Sequence, residues 1–161
     1  MTLPTSHVEE SLKLTSDGLV DLFKINIKNT STFICFTTRE PIKWDGDNYE
    51  SVFCRLDGDS QNSDGQEVRP TLTIQNPEGV FTPYLLNGTL DLSLVTRYRV
   101  LRTHLEANIK ISQRRLWYVS AVTNIISGQS FTLNLRNMSE GPTFWLPART
   151  FSPPDFPSVS L

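Results

Sequence analysis

Histidine and cysteine are scarce in this sequence. His7, His104, Cys35 and Cys54 are all there are among 161 residues. Two cysteines cannot build a disulfide framework, and both sit in apolar, strand-like surroundings (FICF and VFCR), so two buried free thiols are expected. Neither histidine has a cysteine or carboxylate at ligand spacing, which argues against a zinc site. A strong excess of one charge is also missing. With a net charge of -2 there is no global argument for binding nucleic acid or an anionic membrane. No apolar run is long enough to cross a bilayer, so no membrane insertion is expected. The opening residues, MTLPTSHVEESLKL, lack a basic region followed by an apolar block, and no secretory signal is expected. On that reading the sequons at Asn29, Asn87 and Asn137 arise by chance in a chain rich in Asn, Ser and Thr.

The motifs of common catalytic sites are lacking as well. No phosphate-binding glycine loop, dinucleotide fingerprint or serine nucleophile elbow occurs. Carboxylates are plentiful in the loops, but no spacing pairs two of them for glycoside chemistry, and only a pair assembled by the fold is left open. The run DGDSQNSDGQ from Asp57 to Gln66 is dense in oxygen ligands. An EF-hand loop beginning at Asp57 would need glycine at the sixth position and glutamate at the twelfth, where Asn62 and Val68 stand. The run is expected to be a solvated loop able to order on a partner. No enzyme, metal or cofactor is expected.

What the sequence does have is alternation. In Leu22–Lys28, Phe23, Ile25 and Ile27 face one side while Lys24, Asn26 and Lys28 face the other, the pattern of a half-buried strand. Residues 32–38 are apolar on both faces and predict a strand covered on both sides. PIKW, DGDN and Tyr49 predict a hairpin, with Trp44 and Tyr49 flanking its turn. RPTLTIQ reads as a strand that runs into Asn76-Pro77-Glu78, a helix-start signal. A short helix is expected from Pro77 to Leu86, interrupted by Pro83 and stopped at Asn87-Gly88. Residues 116–123 and 131–136 predict two strands joined across Ser127-Gly128-Gln129. Seven or eight strands and one short helix make the chain mainly β, a two-sheet β-sandwich or a barrel. A single domain over 1–161 is expected, with a polar N-terminal segment (1–18) and a Pro-rich C-terminal arm (146–161) that order on assembly.

Arginines are concentrated in VTRYRVLR, where Arg97 and Arg99 alternate with Tyr98 and Val100, and Arg102 follows. A phosphate-binding stripe is one reading. Aromatic interleaving is thin, so the favoured reading is a contact between subunits. The Arg97, Arg99 and Arg102 face would meet the acidic loop of a neighbouring copy, carried by Asp57, Asp59, Asp64 and Glu67.

The ordered set LVDLFKINI, PIKWDGDNY, RPTLTIQN, VTRYRV and LPAR resembles the N-terminal part of the phage minor tail protein L family and is similar to related baseplate tube and hub proteins of long-tailed phages. The resemblance spans Leu14 to Pro157 and is carried by the set, not by one diagnostic motif. It implies a tail-tube fold with a flanking helix and a ring coaxial with the tail tube near its tip. The implied role is structural: a virion protein that assembles in the host cytoplasm. Its partners would be other copies of itself, six in preference to three, together with tube, distal tail and hub proteins. DNA would be met only in passage through the lumen. The family's C-terminal part carries cysteines for an iron–sulfur cluster. No cysteine follows Cys54 here, so the cluster and any role that depends on it are not expected. The competing reading is a carbohydrate- or receptor-binding β-sandwich, with Trp44, Tyr49, Trp117 and Trp145 as candidate sugar platforms.

Overall fold

Alternating side chains dominate the sequence, and strands dominate the structure. A computed structural model describes residues 4–11, 18–28, 30–58 and 69–137. The acidic residues Asp59, Asp64 and Glu67, Trp145 and the arm 146–161 lie outside the described residues. The elements are α1 (Thr5–Ser11), β1 (Leu19–Asn26), β2 (Phe33–Thr37), β3 (Ile42–Trp44), β4 (Asp47–Ser51), β5 (Cys54–Asp57) and β6 (Thr71–Gln75). They continue with α2 (Thr82–Leu86), β7 (Leu94–Leu101), α3 (Arg102–Glu106), β8 (Gln113–Ile126) and β9 (Ser130–Asn137).

The strands join in one order, β3-β4-β2-β1-β7-β8-β9-β6-β5. Every neighbouring pair is antiparallel except β2 and β4. The expected division into two sheets is therefore replaced by one continuous hydrogen-bonded sheet that curls on itself. Phe36 of β2 and Cys54 of β5 are far apart in the strand order, yet both belong to one buried cluster with Phe23, Ile25, Leu72, Trp117 and Leu133. Residues 52 and 53 connect the two flanks: the Val52 N–H donates to the Thr37 carbonyl at 2.9 Å, and the Phe53 carbonyl accepts from the Gln75 N–H at 2.9 Å. The physical cause is burial. A single sheet has an apolar face to cover, and curling covers it with its own far end.

A second cluster lies on the opposite face. Val20, Leu22, Cys35 and Val100 are buried there under Trp44, Tyr49 and Leu105, which come from the β3–β4 hairpin and α3. This second cover explains why β1 is more than half-buried. Phe23 and Ile25 serve the inner cluster as the alternation predicts, while Val20 and Leu22 serve the outer one. It also covers β2 on both faces, through Phe36 on one side and Cys35 on the other. The hairpin turn is Asp45-Gly46, with φ of 53° and 89°. Both residues are left-handed, as the two-residue turns matching the strand twist require. The turn is tied down by Trp44 Nε1 donating to the Ile109 carbonyl at 3.1 Å and by the Lys110–Asp45 ion pair.

The segment after β6 differs from expectation. Asn76 does not start a helix at Pro77. Its Oδ1 accepts from the Phe81 N–H at 3.1 Å and its Nδ2 donates to Thr82 Oγ1 at 3.2 Å, so it closes a turn over 76–81. Gly79 in that turn has φ of 72°. The helix then begins at Thr82, with Pro83 in its first turn, where a missing N–H costs no hydrogen bond. Pro83 therefore opens α2 instead of interrupting it. β8 is longer than expected and is bulged between Val119 and Ala121 and again between Thr123 and Ile126, with Asn124 at φ 50°.

Candidate functional site

Cross-strand register brings the arginines together. Asp21 of β1 lies opposite Arg99 of β7, and Arg99 lies opposite Gln113 of β8. One step on, Phe23 faces Arg97 and Arg97 faces Arg115; the next row holds Ile25, Val95 and Trp117. Side chains two apart share a face, so Arg97 and Arg99 stand on the face of Phe23, Ile25 and Trp117, at one end of the inner cluster. Tyr98 and Val100 turn to the outer cluster, as the alternation predicts.

Arg97 is only 2% exposed. Its guanidinium carbon lies 5.4 Å from the centre of the Trp117 ring, and its Nε is 4.0 Å from Asp21 Oδ1. Arg99 binds the same carboxylate with two donors, Nε to Oδ1 at 2.9 Å and Nη2 to Oδ2 at 3.2 Å. That forked geometry suits a guanidinium and orients it firmly. Arg102 lies beyond the strand, on α3, and pairs with Glu106 one helical turn on at 3.1 Å. Asp57 pairs locally with Arg55 at 2.8 Å. The expected arginine face is thus divided. Arg97 does not reach the surface and drops out of the candidate intersubunit contact, because it is buried against the Trp117 ring and beside the partly exposed Asp21 carboxylate. Arg99, Arg102 and Asp57 retain exposed parts.

Asp21 is the residue that sequence reading missed. The signal was present: a carboxylate in LVDLF, two positions before Phe23 and therefore on the apolar face, requires a cation across the strand pair. His7 is a second omission. It belongs to the short α1, yet it is buried, and burial pushes its imidazole below the ordinary range, with His104 and Arg99 acting in the same direction. Burial also pushes the thiols up, Cys35 to about 11 and Cys54 to about 12. The two cysteines are free and belong to different clusters on opposite faces of the sheet.

The aromatic candidates for a sugar platform are interior. Trp44 and Tyr49 are each 2% exposed, Trp117 is 3% exposed, and Trp44 packs on Tyr98 with ring centres 5.4 Å apart. A platform needs an open ring face, which none of the three offers. Among the described residues no group of three or more His, Cys, Asp or Glu side chains is placed to hold a metal ion. No helix among them is long and apolar enough to cross a membrane.

Exposed apolar side chains gather around two smaller hollows. Phe53, Val80, Leu86, Ile125 and Ile126 are all more than half exposed. Phe53 and Val80 line a hollow of about 270 Å³, and Leu86, Ile125 and Ile126 line another of about 190 Å³; the two meet at Asn76. A larger groove of about 730 Å³ opens at the arginine end, on the outer face, between α3 and the turn that follows β2.

No known protein-family model matches the chain, and no curated protein matches it. In solved structures, a chain of the virion of a native gene transfer agent (GTA) particle has a similar fold, with a TM-score of 0.64 and 15% sequence identity. The similarity covers 93% of this chain and 50% of that one. This chain therefore spans about half the length of the chain it matches. At that identity the likeness is one of fold: mostly β, with minor helical content.

Proposed function

We propose that the protein is a structural subunit of the tail tip or baseplate of a long-tailed phage or phage-like particle, forming a ring coaxial with the tail tube and contributing to the DNA channel. The observation that carries this reading is the likeness to a chain of a gene transfer agent virion over 93% of the present chain. The ordered motifs that resemble the minor tail protein L family agree with it, as do the exposed apolar residues Phe53, Val80, Leu86, Ile125 and Ile126, which suit an interface better than water. Six copies are favoured over three, because one tube-type domain per chain then continues a tube of six-fold symmetry in the simplest way. Neighbouring tube, distal tail and hub proteins are the other partners, and no catalytic step belongs to the role. Arg99, Arg102 and Asp57, together with Asp59, Asp64 and Glu67, are kept as the charged part of the contact between copies.

The test is compositional. Purified particles analysed by quantitative mass spectrometry should contain the protein in a small fixed copy number that is a multiple of three, and loss of its gene should yield heads without functional tails. Normal infectious tails assembled without the protein would refute the reading.

A further inference from the structure

The helix α1 is seven residues long, too short to hold its shape in water by itself. Its order has to come from what it buries. Of the side chains of residues 4–9, only that of His7 is buried; Pro4 and Ser6 are half-buried, and Thr5, Val8 and Glu9 are exposed. Its printed backbone bonds are internal, from the His7 and Val8 N–H groups to the Pro4 carbonyl at 3.0 and 3.3 Å. A short helix that needs an apolar anchor is therefore anchored by an imidazole.

That anchorage is poor in hydrogen bonds. Among the described residues, five side-chain polar atoms are buried without a hydrogen-bond partner, and three of them belong to α1 and α3: Ser6 Oγ, His7 Nε2 and His104 Nδ1. Each leaves its loss of water uncompensated. The charges acting on His7 are also of one sign. Burial opposes its protonation most, and His104 from α3 and Arg99 from β7 oppose it as well. The acids of the surrounding elements are engaged or turned away. Asp21 of β1 accepts two bonds from Arg99, Glu106 of α3 pairs with Arg102, and Glu9 of α1 is exposed. A neutral imidazole fits such a place as a small apolar plug. A protonated one is a buried cation facing two other cations, and it gains water by leaving.

We propose that His7 and His104 form an acid-released latch, which holds α1 on the body of the subunit at neutral pH and frees it in mild acid while the sheet stays folded. The docked helix binds the His7 proton less readily than the free segment does. Docking is therefore full above 6.5, the ordinary histidine value, and is lost as pH falls through the lowered one. The two apolar clusters under the sheet consist of aliphatic, aromatic and thiol side chains, which keep their charge state over this range. The device belongs to the single subunit, so it stands or falls apart from the ring reading. It makes the N-terminal segment part of the subunit surface at neutral pH and a free arm in acid.

Backbone order parameters of the full-length subunit, measured by NMR relaxation at about pH 7.5 and about pH 5, test it. Residues 5–11 should be as rigid as β1 and β7 at the higher pH, near 0.85, and fall below about 0.6 at the lower one, with the strands unchanged. His7→Leu keeps an apolar anchor that takes no proton, and α1 should stay docked at both pH values. His104→Gln removes one opposing cation, and release should then require a lower pH than in the wild type. Residues 5–11 equally rigid at both pH values, equally mobile at both, or lost together with the strands overturn the latch. Release of α1 in His7→Leu at the wild-type pH overturns the role of His7, and a release pH unmoved by His104→Gln overturns the pairing.

Discussion

Asp21 serves two arginines at once, one buried and one partly exposed. Replacing it with Asn keeps the shape and removes the charge that balances Arg97 and Arg99. Removing one partner of a fully buried pair costs about 3–5 kcal/mol, and here about 2–3 kcal/mol is expected because the carboxylate is still partly exposed. Urea unfolding followed by tryptophan fluorescence would show it as a lowered midpoint at unchanged slope, and a midpoint equal to wild type would contradict this account of Asp21. Arg97→Glu is expected to abolish soluble folded protein, since it buries a second anion beside Asp21. His7 gives a pH dependence of definite sign. Burial, then the neighbouring charges of His104 on α3 and Arg99 on β7, hold its pKa below the ordinary 6.5. The unfolded chain therefore binds the proton more readily. The stability contributed by neutral, buried His7 is full above pH 6.5 and declines as pH falls below 6.5 toward the lowered folded value. An NMR titration should show His7 protonating below 6.5, with the amide signals of α1 moving together with it; an ordinary titration at 6.5 would contradict the burial. The thiols offer an independent check. With Cys35 raised to about 11 and Cys54 to about 12, neither should react with a thiol reagent at pH 8 in the native protein, and both should react after unfolding.

At the level of elements, the β3–β4 hairpin is where local chemistry and packing agree most closely. Asp45-Gly46 supplies the two left-handed residues, and Trp44 and Tyr49 beside it are anchored in the outer cluster. Gly46→Ala puts a β-carbon at φ 89° with nothing within 4 Å to clash, so the cost is backbone strain alone, about 1–2 kcal/mol. Trp44→Ala should cost more, about 3–5 kcal/mol, since it opens a cavity and leaves the Ile109 carbonyl without its donor. Chemical denaturation of the two variants should rank them in that order. This hairpin was legible in the sequence because its signals are local: a two-residue turn and flanking aromatics. The alternations of β1, β7 and β9 were legible for the same reason. The Asn76 turn was not. Asn-Pro-Glu serves a helix start or a tight turn equally well, and the choice was made by the side-chain hydrogen bonds to Phe81 and Thr82, which exist only once the chain has folded back. The two-faced burial of β1 was hidden too, because the elements that cover Val20 and Leu22 come from elsewhere in the chain.

For the whole molecule, the division of the candidate site follows the same logic. The sequence grouped Arg97, Arg99 and Arg102 as one face, and alternation placed the first two correctly on one side of a strand. It could not tell which side was interior, since that depends on the curling of the nine-strand sheet and on the partner, Asp21, that lies 76 positions earlier than Arg97 in sequence. What is left outside is a molecule with two unlike kinds of surface: a groove with exposed charge, and the exposed apolar residues Phe53, Val80, Leu86, Ile125 and Ile126. Unlike surfaces suit contacts in which one face meets a different face of the next subunit. The apolar surface gives a prediction of its own. Ile125→Asp with Ile126→Asp should leave the folded monomer intact, because both side chains are exposed, and should reduce incorporation into particles at least tenfold, as read by immunoblot of purified particles against total protein. Wild-type incorporation would remove this surface from the interface. The most direct measurement of the central claim is electron cryomicroscopy of intact particles with the protein located by a small fused tag. The account predicts a closed ring of this chain around the tail axis, near the tip and most simply six-fold, with the tag repeated once per subunit; labelled protein scattered on the head, or missing from purified infectious particles, would contradict it.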